Sequence, residues 1–310
     1  MPDAPTTTTT DVLDGVDLSG STVLVTGATT GIGKETARAL AAAGASVTIT
    51  ARTDDKGTAA VEDLRTAAPD GDVAYEVLEL GSLASVRAFT DGFAASHDSL
   101  DVVIANAGIM AVPFGRTDDG FESHFGTNHL GHFVLIGRLL PLLSASAPAR
   151  IVVLTSAGHA MSDIDWDDPN YEHRPYSKME AYGQSKTANI LHAVELDRRS
   201  ASRGVHAYSV HPGMVATELG RYFTREDFEE LKGRARSSSS GGGLPPAVGV
   251  DVGAATSVWA ATAPELDDHG GAYLGDCAVA KPMAYAADPD AARRLWALSE
   301  QLVSEPFPEP

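Results

Sequence analysis

Short apolar runs rich in Val, Ile and Leu alternate along this chain with longer stretches in which apolar positions recur at helical spacing. Such β-branched runs are typical of buried strands, and their alternation with helices predicts a parallel sheet covered on both faces. Ligands bind such sheets at the carboxyl ends of the strands. We therefore predict a single-domain, doubly wound α/β fold. The strand-like runs lie near Thr22, Val47, Val73, Val102, Ile151, His206 and Tyr273.

The alternating pattern occupies residues 18–303, which we predict to be one domain. Residues 1–17 contain prolines and a threonine run, and we expect a disordered tail there, while residues 304–310 form a second tail. Two internal segments break the rhythm. Residues 157–181 form an insertion with one Trp and several Tyr residues, and residues 214–246 include a Ser- and Gly-rich tract that should be flexible.

Composition restricts the partners and the compartment. The 310 residues include 42 acidic and 23 basic side chains, and the formal net charge of −19 argues against nucleic-acid or anionic-membrane partners. No apolar run reaches the roughly 18 residues that span a bilayer, and the N-terminus lacks the order of a signal peptide, so we expect no membrane insertion. A single cysteine, Cys277, fits a cytoplasmic protein. No residues have zinc-ligand spacing, so no metal site is expected.

A glycine-rich turn follows the first strand. The run Ser21–Thr26 leads into Gly27-Ala-Thr-Thr-Gly31-Ile-Gly33, then into an Ala-rich helical stretch and a second strand, Ser46–Ala51. In such a βαβ unit, glycines let backbone N–H groups approach a pyrophosphate, and the helix N-terminus adds partial positive charge. The unit predicts a Rossmann-like dinucleotide site, and a tight turn without a ligand is the alternative.

Tyr182 lies four residues before Lys186, and no other tyrosine here has a lysine at that offset. On a helix, positions i and i+4 share a face, so the phenol and the ammonium should project together. A nearby cation favours the phenolate, so we expect the pKa of Tyr182 to be lowered from its reference of about 10. The pair is a candidate acid/base for an alcohol oxygen.

These motifs together resemble the short-chain dehydrogenase/reductase family, in its non-extended branch. The spacing Thr-Gly-x-x-x-Gly-x-Gly and the Tyr-x-x-x-Lys pair occur with other family motifs in the expected order, over about residues 18–303. The second half resembles the retinol dehydrogenase and WW-domain oxidoreductase subgroup. The further motif residues are Asn106-Ala107-Gly108 after the fourth strand, Asn128, Ser156 after the fifth, and Pro212-Gly213 after the sixth.

The resemblance implies a catalytic set and a nicotinamide cofactor. Tyr182 would be the acid/base, Lys186 would lower its pKa and hold the ribose, Ser156 would hold the substrate oxygen, and Asn128 would support a relay water. Residues 214–246 would contain the substrate lid, with a surface linker as the alternative. The implied cofactor-binding residues are Gly27, Thr29, Thr30, Gly31, Ile32, Gly33, Arg52, Glu79, Leu80, Asn106, Ala107, Gly108, Tyr182, Lys186, Pro212, Gly213, Val215 and Thr217.

The end of the second strand bears on the choice between NADP and NAD. NAD-preferring family members have an acid there, whereas this chain has Ala51 followed by Arg52. A guanidinium can bind a 2′-phosphate, so the residue types favour NADP. NAD stays possible, because Arg52 could be a plain surface residue and Asp54 or Asp55 could receive a 2′-hydroxyl. Glu79 lies at the end of a strand predicted over residues 73–80. This is the position where family members often have an acid that binds the adenine amino group.

The leading functional hypothesis is an NADP-dependent oxidoreductase that acts on a lipophilic carbonyl or alcohol, because the insertion and the lid are rich in aromatic residues. The alternative is a catalytically silent protein that binds the cofactor as a sensor. The presence of Asn128, Ser156, Tyr182 and Lys186 favours the enzyme. The resemblance also makes a homo-oligomer possible.

Overall fold

The computed structural model describes residues 6–229, 233 and 246–307, and its centre is one eight-stranded sheet in the order β3-β2-β1-β4-β5-β6-β7-β8. Every neighbouring pair is parallel except β7 and β8. The seven predicted strands are all present, and β8 was not predicted. The strands are β1 Thr22–Val25, β2 Ser46–Ala51, β3 Asp72–Val77, β4 Val102–Ala105, β5 Ala149–Leu154, β6 Val205–His211, β7 Tyr273–Gly275 and β8 Ala278–Ala280.

Helices cover both faces of the sheet, which confirms the doubly wound α/β prediction. Side chains alternate along each strand, so Leu24 belongs to one apolar core and its neighbours Val23 and Val25 belong to the other. The first core includes residues of α4, α5, α6 and α8, and the second includes residues of α2, α3 and α7. The helices are α1 Thr9–Val12, α2 Gly31–Ala42, α3 Asp54–Ala67, α4 Leu83–Ser96, α5 Gly131–Ala145, α6 Lys178–Ser200, α7 Val250–Thr262 and α8 Pro289–Val303.

The structure corrects the expectation that residues 1–17 are disordered. Thr8 and Asp11 form a capping box at the start of α1, and the buried Thr9 donates a hydrogen bond of 2.6 Å to Glu35. A four-residue helix is unstable alone, so these caps and its packing against α7 account for its order. Residues 1–5 lie outside the described part of the chain.

The C-terminal boundary also moves outward from residue 303. Phe307 is only 7% exposed, and its ring lies 5.4 Å from that of Phe133. Glu305 forms ion pairs with Arg87, at 2.9 Å, and with Arg138. The domain therefore continues at least to residue 307, because this segment completes the core beside α5.

The two irregular segments flank the N-terminus of α6. The insertion begins with a 3₁₀ turn, Ala157–Met161, and continues without regular structure to Ser177, whose side chain caps α6. The predicted lid contains a 3₁₀ turn, Glu218–Tyr222, and a helical stretch at 225–229. Its Ser- and Gly-rich tract falls on residues outside the described ranges.

Candidate active site

The turns that follow β1 and β4 are joined at the carboxyl edge of the sheet. The Asn106 side chain donates to the backbone carbonyls of Thr26, at 2.8 Å, and Gly27, at 3.2 Å. The Ala107 amide donates to the Thr26 hydroxyl at 3.0 Å. The predicted Asn-Ala-Gly turn therefore holds the start of the glycine-rich turn.

The glycines of this turn are required by its shape. Gly27 and Gly31 have φ of 64° and 60°, which side chains other than glycine rarely adopt. A Cβ on Gly33 would lie 2.8 Å from the Gly27 carbonyl oxygen. The N-cap residue of α2, Thr30, makes no side-chain capping bond, and the first turn carries no acidic residue. The first amides of α2 can therefore donate to an anion.

The segment after β6 closes against the same turn. A Cβ on Gly31 would lie 3.2 Å from the Thr217 methyl carbon, so the two segments are in close contact. Val215 forms a parallel bridge with Val248, and Gly213 has a φ of 79°. Thr217, at the end of the segment that begins with Pro212-Gly213, thus lies beside the glycine-rich turn.

Tyr182, Lys186 and Ser156 lie together in the interior. Tyr182 is 3% exposed and Lys186 is 4% exposed, and the Lys186 Nζ lies 5.8 Å from the centre of the Tyr182 ring. The same Nζ donates to the Leu154 carbonyl at 3.0 Å. Ser156 forms a side-chain hydrogen bond with Tyr182, and its Oγ accepts from the Gly158 amide at 3.0 Å.

The prediction that the pKa of Tyr182 lies below its reference of about 10 is wrong for this structure. Burial raises the pKa of Tyr182 to about 12, and the hydrogen bond with Ser156 opposes this only in part. Burial also lowers the pKa of Lys186 to about 8. Both groups lose hydration, and this loss disfavours the charged form of each. The neutral phenol is therefore the dominant state of Tyr182 at neutral pH.

Asn128 lies in a π-helical turn, Phe125–Leu130, that precedes α5. Its side chain accepts from the Ile109 amide at 2.8 Å and donates to the Ile109 carbonyl at 3.0 Å and to the Ser185 hydroxyl at 2.9 Å. A Cβ on Gly108 would lie 3.1 Å from the Asn128 Oδ1. The asparagine therefore fastens the segment after β4 to α6.

His132 is a site residue that the sequence did not reveal. Its Nδ1 lies 3.1 Å from the Asn128 carbonyl and must donate to it, so Nε2 accepts from the Thr26 hydroxyl at 2.9 Å. Burial lowers the pKa of His132 to about 4, the bond to Asn128 opposes this shift, and the charge of Lys186 adds to it. A neutral imidazole thus connects Asn128 to the beginning of the glycine-rich turn.

A second polar cluster that the sequence did not reveal lies beside Tyr182. The His124 ring packs edge-on against the Tyr182 ring, with centroids 6.1 Å apart. The His124 Nδ1 lies 2.8 Å from a carboxylate oxygen of the fully buried Glu122, and the Tyr176 hydroxyl donates to that oxygen at 3.3 Å. The insertion is thereby tied to the segment before Asn128. Glu122 and His124 lie in a polar part of the sequence, so nothing in the local pattern indicates that they are buried.

The residues predicted to bind the adenosine half of the cofactor are less closely associated with one another than the residues around Tyr182. Arg52 is exposed directly after β2, and its guanidinium has no ion pair or hydrogen bond with the part of the chain that the structure describes. The strand predicted over residues 73–80 ends at Val77, so Glu79 lies in the following turn and accepts from the Gly81 amide at 2.9 Å. Leu80 is buried in the core.

Residues 21–227 match the family model described as short chain dehydrogenase. The chain belongs to the short-chain dehydrogenase family. It is 40% identical to Homo sapiens retinol dehydrogenase 13 over 291 residues, which cover 92% of this chain and 85% of that protein. It is 37% identical to the Pongo abelii WW domain-containing oxidoreductase over 307 residues, which cover 96% of this chain and 72% of that protein. A crystal structure of an uncharacterised protein from Mycobacterium Paratuberculosis is similar with a TM-score of 0.76 at 36% identity, covering 97% of this chain and 99% of that one.

The family and these relatives confirm the predicted family, fold class and enzyme class. The protein is an NAD(P)-dependent oxidoreductase with a small-molecule substrate. Within residues 6–229, 233 and 246–307, no helix is both long enough and apolar enough to cross a bilayer.

Proposed function

We propose that this protein is an NADP-dependent oxidoreductase that interconverts lipophilic carbonyl compounds and alcohols, with Tyr182 as the acid/base. The observation that carries the proposal is the contact between a buried, neutral phenol and a serine hydroxyl, with a buried lysine 5.8 Å from the phenol ring. Asn128 and His132 connect this part of the structure to the glycine-rich turn. A proton donor is thus held next to a place suited to a dinucleotide.

The glycine-rich turn fits a nicotinamide dinucleotide. Its positive φ angles and the close approach of Gly33 to Gly27 leave the backbone bare of side chains, and the first amides of α2 have no competing cap. Residues after β4 and β6 would hold the remainder, with Asn106 supporting the turn and Thr217 beside it. When bound, this cofactor supplies or accepts the hydride.

Tyr182 would move the proton that accompanies the hydride. With a pKa of about 12, the phenol is protonated at neutral pH and can donate to a carbonyl oxygen as that oxygen gains negative charge. The Ser156 hydroxyl, which interacts with Tyr182 in this structure, would turn its one hydrogen to the same oxygen when a substrate is bound. In the oxidation direction, Tyr182 would take the alcohol proton back, and Lys186 would stabilise the phenolate formed in that step.

Arg52 supports NADP over NAD. Its exposed guanidinium follows the carboxyl end of β2 and has no carboxylate partner among the described residues. A planar cation of this kind binds a phosphate through paired hydrogen bonds. The acidic residues that could instead favour NAD, Asp54 and Asp55, lie in the first turn of α3, and Asp54 already accepts a long bond from Tyr75.

Exposed apolar side chains on segments that flank the site support a lipophilic substrate. Phe114 packs against Tyr176 of the insertion with ring centroids 5.1 Å apart and is 48% exposed. Met283 is also exposed, and its amide donates a hydrogen bond to His159 in the turn that follows Ser156. Tyr222, in the predicted lid, is exposed as well. The names of the relatives refer to retinol, an apolar alcohol. These features favour a hydrophobic approach to a polar reacting group.

The proposal is tested by following oxidation of NADPH and NADH with a panel of lipophilic aldehydes and ketones. We expect turnover with NADPH, and we expect Tyr182→Phe to reduce kcat by about 10² to 10⁴, the usual contribution of acid/base catalysis. Cofactor affinity should stay within about twofold, because only one hydroxyl is removed. Tight cofactor binding by the wild type without turnover on any compound would contradict the proposal and favour a cofactor sensor.

A further inference from the structure

We propose that His159 is a positioning residue that holds the Ser156 hydroxyl in place beside Tyr182 by fastening the Ser156 turn to the segment after β8. The inference rests on the proposed function for the role of Ser156 in the reaction. It concerns a histidine that is 5% exposed and that the mechanism above does not use. The contacts of His159 reach three separate parts of the chain.

The first contact is with Ser156 itself. Ser156 begins the 3₁₀ turn Ala157–Met161, and its carbonyl accepts from both the backbone amide of His159, at 3.0 Å, and the ring Nδ1, at 2.7 Å. The ring thus closes the same turn that its backbone closes. Because Ser156 Oγ accepts from the Gly158 amide inside this turn, the position of the hydroxyl depends on the turn remaining closed.

The second contact is with the segment after β8. The Met283 amide donates to the His159 Nε2 at 3.0 Å, and the Tyr285 hydroxyl donates to the His159 carbonyl at 2.8 Å. The Thr187 hydroxyl of α6 lies 3.2 Å from that carbonyl and 2.7 Å from the Ser162 carbonyl, so its one hydrogen is shared by two carbonyls at this turn. His159 is therefore held from both sides, and the turn cannot shift without breaking bonds to two other segments.

The hydrogen bonds allow only one state of the ring. The Ser156 carbonyl can only accept, so Nδ1 carries the hydrogen, and the Met283 amide can only donate, so Nε2 must be bare. Protonation would place a second hydrogen on Nε2, facing the Met283 N–H. The arrangement therefore requires the neutral imidazole, and burial lowers the pKa of His159, which favours that state near neutral pH.

The turn must be held closely because Tyr182 lies against it. A Cβ on Gly158 would lie 2.7 Å from the Tyr182 ring, and a Cβ on Gly183 would lie 2.9 Å from the Gly158 carbonyl. A displacement of about 1 Å would separate the serine hydroxyl from the phenol, and such misplacement can reduce a rate about 10²-fold.

Other titratable groups lie on the elements around His159. They are Tyr182, Lys186, His211, Tyr273, Asp276 and Tyr285, with Asp163 beyond Tyr285.

The experiment compares four variants with the wild type. His159→Leu removes both ring bonds, His159→Gln can restore a donor and an acceptor without an ionisable group, and Tyr285→Phe removes one hydroxyl bond. His97→Leu is the matched control, because His97 also contacts the carbonyl of a preceding residue, Phe93, and stacks on its ring, but at the end of α4. The readouts are hydrogen exchange of the 156–162 amides, kcat with NADPH, the cofactor Kd and the pH profile of kcat.

We expect His159→Leu to speed exchange over 156–162 and to lower kcat about 10- to 100-fold at an unchanged cofactor Kd. We expect wild-type kcat to fall at low pH as His159 becomes protonated. His159→Gln should recover much of kcat and should lack this fall. Tyr285→Phe should show a smaller effect in the same direction, and His97→Leu should show none of these changes. Unchanged exchange over 156–162 in His159→Leu would overturn the inference, whatever the activity.

A wild type that turns over no carbonyl compound would contradict the proposed function alone, because hydrogen exchange would still decide whether His159 holds the turn. Faster exchange with unaltered kcat in an active enzyme would overturn the positioning role. An acid limb that persists unchanged in an active His159→Gln would overturn it as well, because the neutral ring is required by the geometry.

Discussion

Lys186 should destabilise the free protein, so replacing it with methionine should raise stability while removing activity. Lys186 is 4% exposed, and among the described residues its ammonium has one hydrogen-bond acceptor, the Leu154 carbonyl. Methionine has a similar length and keeps the packing of the methylene chain. The Leu154 carbonyl keeps a second donor in the variant, because the Asn189 Nδ2 lies 2.8 Å away.

The magnitude follows from the pKa of Lys186, which burial lowers from 10.5 to about 8. At about 1.4 kcal/mol per pKa unit, a charged Lys186 costs the folded state about 3 kcal/mol at pH 7. The lost hydrogen bond contributes about 1 kcal/mol in the other direction. We therefore expect Lys186→Met to increase the free energy of unfolding by about 2 kcal/mol at pH 7.

The pH dependence gives a sharper test. The folded pKa is below the unfolded one, so the destabilisation is complete below pH 8 and is relieved as the pH rises toward 10.5. Between pH 7 and pH 9.5 the wild type should gain about 2 kcal/mol relative to the variant. Urea unfolding of both proteins at both pH values measures this difference.

An exposed lysine, Lys56 of α3, is the control, and Lys56→Met should change the free energy of unfolding by less than about 0.5 kcal/mol. The reasoning would be refuted if Lys186→Met were less stable than the wild type at pH 7. It would equally be refuted if the difference between the two proteins were the same at pH 7 and pH 9.5.

Three further changes test other parts of the structure. Arg52→Ala should weaken NADPH binding about tenfold or more in a fluorescence titration and leave NADH within about twofold, because only the charge-assisted phosphate contact is lost; an equal loss for both cofactors would exclude this role. The buried Asp227 forms an ion pair with Lys178 of α6 at 2.6 Å, so Asp227→Asn should speed hydrogen exchange in the predicted lid and raise KM more than it lowers kcat. Unaltered exchange would show that this pair does not hold the predicted lid. Phe307→Ala should lower the free energy of unfolding by about 3 kcal/mol, whereas the control Phe114→Ala, at an exposed ring, should lower it by less than about 0.5 kcal/mol. A loss below about 1 kcal/mol for Phe307→Ala would contradict the place of Phe307 in the core.

The sheet was predictable from the sequence because central strands such as β1, β4 and β5 are buried on both faces and are nearly continuous apolar runs. β8 has no such signal, since it is three residues long and Val279, at its centre, is exposed. The sequence predicts tails at α1 and around Phe307, because their order comes from contacts with Glu35, α7 and α5 that are distant in sequence. Local patterns do not report such contacts.

The same distinction applies to the site. Tyr182, Lys186 and the glycine-rich turn are recognisable because their spacing along one element is itself the signal. His132 and His159 are not, because their partners are far away in the chain: His132 binds Thr26, and His159 binds Met283. A histidine in an apolar stretch has the same appearance whether it is a satisfied core residue or part of a site.

The protonation state of Tyr182 differs from the prediction for a reason that concerns α6 as a whole. Side chains at positions i and i+4 interact as predicted on the exposed face of a helix, where water hydrates both charges. Residues 181–193 of α6 are all buried, between β5, β6 and α8. In such a helix desolvation acts on every ionisable group, so the lysine loses part of its charge and the phenol keeps its proton. Gln184 and Ser185 are polar residues within this buried stretch, and their hydrogen bonds reach the insertion and Asn128. The buried helix thus holds the reacting groups in one arrangement, and the same burial sets the protonation state from which Tyr182 would donate.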